Sequence, residues 1–166
     1  ELASLLPELG ALTAEHHCDE EACEKVWQLR RDFSYSLRNT GLTKLNEDIV
    51  VPRSKLLDLV EFAREMQDRT GIAIACFGHA GDGNIHTNLM VKDYENPEVR
   101  EKADHALDEL FHWIIKSGGV ITGEHGIGLA KKRWFADAVG EEAVSAHSAL
   151  KLAMDPRGIL NPGKFI

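Results

Sequence analysis

The stretch IAIACFGHAGDGNIHTNLMV, residues 72–91, decides the fold of this chain. Its apolar run over 72–77 is typical of a buried strand, and residues 85–91 predict a returning strand. The turn cluster Gly-Asp-Gly-Asn at 81–84 separates the two runs. A glycine-rich turn between two strand-like runs predicts an antiparallel hairpin, which forms the centre of the expected sheet.

Strand and helix signals alternate on both sides of this hairpin. Residues 48–51 and 120–122 are rich in β-branched side chains and predict two further short strands. One helix is predicted to begin at a Ser54 cap and to end at Gly71, and a second to span 97–117. The order strand, helix, strand, strand, helix, strand predicts an α+β fold. Its sheet would be ferredoxin-like, a split βαβ antiparallel sheet with helices on one face.

The flanking segments extend this domain in both directions. Residues 1–18 form an indistinct lead-in, and Asp19 is predicted to cap a long helix. We expect one substrate domain over 19–140, followed by a C-terminal helix and irregular tail over 141–166. The tail has little to bury by itself, so we expect it to pack on something else. The chain does not begin with Met, so we also expect it to be a piece of a longer protein.

Composition narrows the class of protein. The 166 residues carry 27 acidic against 19 basic side chains and a formal charge of −8, which argues against a nucleic-acid partner. No run approaches the roughly 20 apolar residues that a transmembrane segment needs. The three cysteines follow no disulfide pattern, which favours a reducing compartment. We expect a cytoplasmic protein, either free or held at the inner membrane through partners.

Two histidines flank the turn of the hairpin and are candidate metal ligands. In a hairpin, His79 and His86 lie at the same end of the sheet and could converge, and Asn88 shares a face with His86. Neutral imidazole suits Zn, Mn and Fe, and a third ligand would complete an open site. The alternative is a solvated hairpin with two incidental histidines. The glycines and polar residues in the same short window favour a metal site.

A second candidate segment is GGVITGEHGIGLAK, residues 118–131. Because glycine disfavours helix, this segment predicts a strand that leads into a loop, where catalytic groups are common. Glu124 could be the third metal ligand, and His125 could act as a base near neutral pH. The alternative is a loop whose Glu caps the following Lys-rich helix.

Three segments together resemble a known family. Residues 78–86 (GHAGDGNIH), 123–128 (GEHGIG) and 155–164 (DPRGILNPGK) are similar to the C-terminal domain of FAD-linked oxidases of the vanillyl-alcohol oxidase superfamily. Within it, the chain looks like the group of the glycolate oxidase flavoprotein subunit, D-lactate dehydrogenase and D-2-hydroxyglutarate dehydrogenase. The resemblance covers roughly residues 24–166, and three ordered motifs make it more specific than any one alone.

The resemblance implies two cofactors. A divalent metal (Zn, Mn or Fe) would be held by His79, His86 and Glu124, with His125 as the proton-abstracting base. FAD would be bound mainly by a separate N-terminal domain, for which 166 residues leave no room. Glu124 and Asn161 would contribute to cofactor binding, and the tail would return toward the missing FAD domain. This chain alone is therefore predicted to be inactive as a dehydrogenase.

The resemblance also implies the substrate contacts. The segment WQLR at 27–30 resembles a motif whose arginine holds the substrate carboxylate. This resemblance implies that Arg30 binds the carboxylate through two parallel hydrogen bonds. Lys44 and Asn88 match further contacts, and Ser34 stands where a close relative has Thr. On pattern alone, Arg30 and Lys44 are solvated charges.

The implied function is that of the substrate- and metal-binding portion of an FAD-dependent dehydrogenase or oxidase of small 2-hydroxy acids. Its partners would be the substrate, the FAD domain of the parent chain and an electron-acceptor subunit. One alternative is a stand-alone metal or small-acid binding module without redox activity. Another is a metal-dependent hydrolase in which Glu124 acts as the base on metal-bound water.

Overall fold

A computed structural model describes the backbone of residues 2–166 and the side chains of residues 4–166. The chain divides into two compact units, Glu1–Gly41 and Leu42–Ile166, and each is described by itself. The boundaries expected near residues 18 and 140 stay predictions.

The N-terminal unit contains a short helix α1 (Leu2–Leu5) and a long helix α2 (Glu20–Arg38). As predicted, Asp19 caps α2, because its carboxylate accepts the N–H of Ala22 at 2.8 Å. Within this unit α2 buries none of its side chains, and Trp27 and Phe33 remain more than half exposed.

The C-terminal unit is built on a three-stranded antiparallel sheet of β1 (Thr43–Val50), β2 (Ala73–His79) and β3 (Asn84–Val91). The strand order is β1-β3-β2, so the predicted hairpin of β2 and β3 is confirmed. The strand predicted at 120–122 is reduced to one bridge, in which Val120 pairs with Val50 at the edge of β1. This position is that of the fourth strand of a ferredoxin-like sheet, and the α+β prediction is confirmed.

Four helices complete the C-terminal unit: α3 (Leu56–Thr70), α4 (Pro97–Lys116), α5 (Lys132–Val139) and α6 (Glu141–Met154). Gly71 ends α3 in the left-handed region at φ 66°, as predicted. The predicted cap at Ser54 is wrong, because the chain forms a 3₁₀ turn over Arg53–Lys55 and α3 begins only at Leu56. None of the described helices is long and apolar enough to cross a membrane.

The core lies between one face of the sheet and the helices. Alternate strand residues such as Ile49, Ile85 and Leu89 point to this face and are at most 9% exposed. They pack in one cluster with side chains of α3, α4 and α5, including Leu59, Met66, Leu110, Phe111, Ile114 and Trp134. The intervening strand residues therefore face the other way and form a second, polar face.

The C-terminal tail is held by α5 and α6. Lys132 donates from Nζ to the Gly163 carbonyl at 2.9 Å, and the Phe165 ring packs on Phe135 with centroids 4.6 Å apart. Nevertheless Leu150, Met154 and Leu160 are 58–76% exposed. These three residues form a C-terminal apolar patch that the unit itself leaves uncovered.

Candidate functional site

The polar face of the sheet is defined by Asp48 on β1 and by Asn84, His86 and Asn88 on β3. Strand alternation places these side chains opposite the core, because their neighbours Ile49, Ile85 and Leu89 point inward. The antiparallel register sets Asp48 directly beside His86 and pairs His79 with Asn84. As predicted, His79 and His86 lie at the same end of the hairpin, and Asn88 shares the face of His86.

The loop after Val120 folds back onto this face by binding the Asp48 carboxylate. One oxygen, Oδ2, accepts backbone N–H groups from Gly123 at 2.9 Å, Glu124 at 2.7 Å and His125 at 2.9 Å. The Thr122 hydroxyl donates to the same oxygen at 3.2 Å. Three successive N–H groups around one anion form a nest, which fixes the backbone of all three residues.

The Asp48 carboxyl group is fully buried. Burial alone would raise its pKa, but the N–H groups of His125, Glu124 and Gly123 and the Asn84 amide outweigh it and hold the pKa well below its usual range. Asn84 donates from Nδ2 to the second carboxylate oxygen, Oδ1, at 2.8 Å. The carboxylate therefore ties the loop to the hairpin.

Gly123 is required where the loop meets the hairpin. A Cβ atom at this position would lie 1.7 Å from Nδ2 of Asn84 and 2.8 Å from Oδ1 of Asp48. Any side chain would therefore separate the loop from the sheet. Within the glycine-rich segment at 118–131, this close approach explains one of the glycines in physical terms.

The loop places Glu124 and His125 beside His86. Oε1 of Glu124 lies 3.4 Å from Nε2 of His86 and 3.8 Å from Nε2 of His125. One ligand atom from each of the three residues lies within 4.8 Å of the others. The sequence predicted that both segments contribute to one site, and the structure brings these three side chains together.

The polar face carries unsatisfied buried atoms. Across the part of the chain whose side chains are described, the buried side-chain N and O atoms without a hydrogen-bond partner are Oδ1 of Asn84, Nδ1 of His86 and Oδ1 of Asn88. All three belong to alternate residues of β3. Buried polar groups are normally paired, so these three atoms mark positions where an ion, a ligand or a water could be bound.

The residues present fit a divalent metal. Burial lowers the pKa of the His86 imidazole, and the Asp48 and Glu124 carboxylates oppose this only in part. The His86 imidazole, whose Nε2 faces Oε1 of Glu124, forms with that carboxylate and the His125 imidazole a donor set suited to Zn, Mn or Fe.

His79 is outside the tight group. Its side chain is exposed at the end of β2, and its ring centroid lies 6.4 Å from that of His86. The compact set is therefore His86, Glu124 and His125, whereas the sequence predicts His79, His86 and Glu124 as ligands and His125 as the base. That division of roles stays a prediction.

The predicted substrate and flavin contacts fall in several places. Asn88 is buried on the polar face and donates from Nδ2 to the carbonyls of Ala75 at 2.9 Å and His86 at 3.0 Å. Lys44 is half-buried on β1, at a position of the same parity as Asp48.

Arg30 and Ser34 lie on α2 in the N-terminal unit, exposed and half-buried respectively. Asn161 is exposed in the C-terminal tail, where it adopts a positive φ of 50°. The roles assigned to these residues stay predictions.

Sequence reasoning missed Asp48 as a part of the site and Lys131 as a second contact that holds the loop. Lys131 is 4% exposed and donates from Nζ to the Asp48 carbonyl at 2.7 Å, with Oε2 of Glu47 at 3.9 Å. Burial lowers the pKa of Lys131 and raises that of Glu47. The available signal was an acidic pair, Glu47 and Asp48, at the start of a run that otherwise predicts a buried strand.

Comparison with known proteins gives a consistent result. The family model described as FAD linked oxidases, C-terminal domain, matches residues 1–165. The chain is 39% identical over 146 residues to the glycolate oxidase subunit GlcD of Bacillus subtilis, covering 88% of this chain and 31% of that protein. It is 31% identical over 178 residues to the mitochondrial D-lactate dehydrogenase (cytochrome) of Kluyveromyces lactis, covering 99% and 30%.

A third relative is an uncharacterized FAD-linked oxidoreductase of Mycobacterium tuberculosis. It is 33% identical over 163 residues, covering 98% of this chain and 34% of that protein. The chain thus spans about a third of the length of the relatives that it matches.

Proposed function

Because this chain belongs to the family of FAD-linked oxidase C-terminal domains, we propose that it is the substrate- and metal-binding part of an FAD-dependent oxidoreductase of small 2-hydroxy acids. The observation that carries this proposal is the convergence of His86, Glu124 and His125 on the polar face. The names of two relatives support it, since glycolate and D-lactate are both 2-hydroxy acids.

The chemistry of such a substrate suits these side chains. Oxidation of a 2-hydroxy acid removes a proton from the hydroxyl oxygen and a hydride from the carbon. His125 accepts the proton at a ring nitrogen, while Lys44 holds the carboxylate and Asn88 contacts the substrate. A divalent metal, when bound by His79, His86 and Glu124, supplies Lewis acidity that makes the hydroxyl easier to deprotonate. FAD, when bound, takes the hydride.

We further propose that FAD is held mainly by another part of the parent chain, with Asn161 at the boundary. The C-terminal apolar patch supports this, because Leu150, Met154 and Leu160 remain exposed in the unit described. This chain mixed with FAD is then expected to turn over neither glycolate nor D-lactate, whereas the full-length parent protein does so with an artificial electron acceptor. Turnover by the chain alone would contradict this division.

Zinc titration of the metal-free chain tests the ligand set. His86→Ala is expected to weaken Zn²⁺ binding more than about 100-fold, since second-shell changes alone cost 10–100-fold. His79→Ala should also lose most binding. His112→Ala, which removes an exposed histidine from α4, is the matched control and should bind normally. Unchanged binding by His86→Ala would refute the metal site.

His125→Ala separates a base from a ligand. In the full-length parent protein, the Zn²⁺ affinity of this variant is expected to stay within about threefold of wild type, a smaller change than the loss of a residue that orients a ligand causes. Its turnover is expected to fall at least about 100-fold. If His125→Ala lost zinc and His79→Ala kept it, His125 would be the third ligand instead. Normal turnover by His125→Ala would remove it as the base.

A further inference from the structure

We propose that Asp48 is the positioning residue of this site, and that it holds the loop at 122–131 by both of its ends. This inference rests on the proposed function for the use of the loop, but its geometry is independent of it. Neither the sequence patterns nor the names of the relatives assign Asp48 a role.

The first end of the loop is held by the Asp48 side chain. Its Oδ2 accepts the N–H groups of Gly123, Glu124 and His125, all within 2.9 Å. Glu124 and His125 carry the two functional side chains, and Gly123 directly precedes them. Because their backbone is fixed, the positions from which the Glu124 and His125 side chains extend are fixed as well.

The second end is held by the Asp48 main chain. β1 lies at the edge of the sheet, and Val120 extends pairing beyond it only at Val50. The Asp48 carbonyl accepts a hydrogen bond from Nζ of Lys131 at 2.7 Å, across 83 positions of sequence. One residue of the sheet thus holds both the start and the end of the loop.

The carboxylate is not itself available as a metal ligand. Its Oδ2 already accepts four donors and its Oδ1 accepts Nδ2 of Asn84, and a carboxylate offers only about four lone-pair sites. Asp48 is also fully buried. It therefore acts through the loop, and through Asn84 it ties the loop to the strand that carries His86.

Replacing Asp48 by Asn keeps the shape of the side chain and changes its chemistry. The amide keeps one acceptor oxygen but carries no charge, so it binds the four donors that Oδ2 holds more weakly, and its NH₂ group would face Nδ2 of Asn84. The backbone of Glu124 and His125 would then no longer be held in one position. We expect Asp48→Asn to weaken Zn²⁺ binding about 10–100-fold, the usual effect of losing a partner that orients ligands.

The matched control is Asp155→Asn. Asp155 is also a buried carboxylate, and it accepts backbone N–H groups from Ile159 at 3.1 Å and Leu160 at 2.9 Å in the C-terminal tail. Its replacement measures the general cost of losing such a cap. Asp155→Asn is expected to leave Zn²⁺ affinity within about threefold, because it removes no partner of a ligand.

Amide hydrogen exchange of the metal-free chain provides a readout that requires no metal. The amides of Gly123, Glu124 and His125 are expected to exchange slowly in the wild type, in Asp155→Asn and in His86→Ala, and to lose protection in Asp48→Asn. Unchanged protection in Asp48→Asn would overturn the proposal. So would a Zn²⁺ affinity in that variant within threefold of wild type.

These outcomes separate this proposal from the proposed function. If the wild type binds no Zn²⁺, the proposed metal site is refuted. The role of Asp48 is then tested only by the hydrogen exchange of the Gly123, Glu124 and His125 amides. If Asp48→Asn does not fold, Asn84→Ala replaces it, since it removes only the tie to Oδ1. That variant should bind Zn²⁺ about 2–10-fold more weakly, the weight of one hydrogen bond, and normal affinity would then overturn the proposal.

Discussion

On β3, Ile85 and Leu89 point to the helices, whereas His86 and Asn88 point to the opposite face of the same strand. The first pair belongs to a continuous apolar cluster that joins the sheet to α3, α4 and α5. The second pair carries two of the unpaired buried polar atoms that the described side chains contain. Strand alternation alone separates these two environments, one residue apart.

The difference shows which face determines the stability of the fold and which is expected to bind a ligand. Apolar burial contributes roughly 25 cal/mol per Å², so the helix-covered face supplies most of the free energy of folding. Burial of polar groups costs free energy unless they are hydrogen-bonded, so the polar face contributes less to stability than the apolar face does. Substitutions on the two faces should therefore separate stability from binding.

The largest expected effect is on the core face. Leu89→Ala removes a fully buried side chain and is expected to lower the free energy of unfolding by about 2–5 kcal/mol, because a cavity remains. Chemical denaturation measures this loss. Zn²⁺ affinity of the folded variant should stay within about threefold of wild type, since no ligand or orienting partner changes. A loss of zinc as large as that of His86→Ala would break the separation of the faces.

An intermediate effect is expected where the loop meets the polar face. Gly123→Ala would place a Cβ atom 1.7 Å from Nδ2 of Asn84, so either the loop or the amide must move. We expect the free energy of unfolding to fall by about 1–3 kcal/mol through this overpacking. Zn²⁺ affinity should fall as well, because Glu124 moves with the loop.

Gly81→Ala is the control for this substitution. An added Cβ there meets nothing within 4 Å, and Gly81 does not have a positive φ. It lies in the turn between the two histidines and should change the free energy of unfolding by less than about 0.5 kcal/mol, as is usual for open surface positions. Equal effects of the two substitutions would show that close approach at Gly123 is unimportant.

The same alternation explains how much of the fold could be predicted from sequence. β2 and β3 were predictable because β2 is largely apolar, β3 carries Ile85, Leu89, Met90 and Val91, and the two strands flank a glycine-rich turn. β1 begins at Thr43, whereas the sequence predicts a strand only over 48–51. The reason is that Lys44, Asn46 and Asp48 are polar, and a sequence with so many polar residues is typical of a loop. The strand at 120–122 was overestimated because a β-branched run cannot show that only Val120 finds a partner.

The candidate site was predictable to the extent that its residues stand near glycines. His79, His86, Glu124 and His125 were identified in this way, and three of them converge. Asp48 was not, because a single acidic residue in a strand pattern carries no sign of the distant backbone it binds. Its partners lie 75 to 77 positions away, so only the fold reveals the contact.

The smallest effect is expected from substitutions of two threonines, one beside the polar face and one on the core side. Each threonine hydroxyl donates one hydrogen bond and accepts another. Thr122 donates from Oγ1 to Asp48 at 3.2 Å and accepts the N–H of Gly126 at 2.8 Å. Thr70, at the end of α3, donates to the Met66 carbonyl at 2.7 Å and accepts the N–H of Ile72 at 3.2 Å. Each Thr→Val substitution should therefore lower the free energy of unfolding by about 1 kcal/mol.

The two variants should differ in zinc affinity alone. Thr122→Val removes one donor from the Asp48 carboxylate and one anchor of the Glu124 loop, so Zn²⁺ binding should weaken about 2–10-fold, the weight of one hydrogen bond. Thr70→Val lies on the core side and should bind as the wild type does. Titration of both variants beside their denaturation curves measures the contrast. Equal zinc affinities would mean that the loop is held firmly without Thr122 and that Asp48 and the backbone donors suffice.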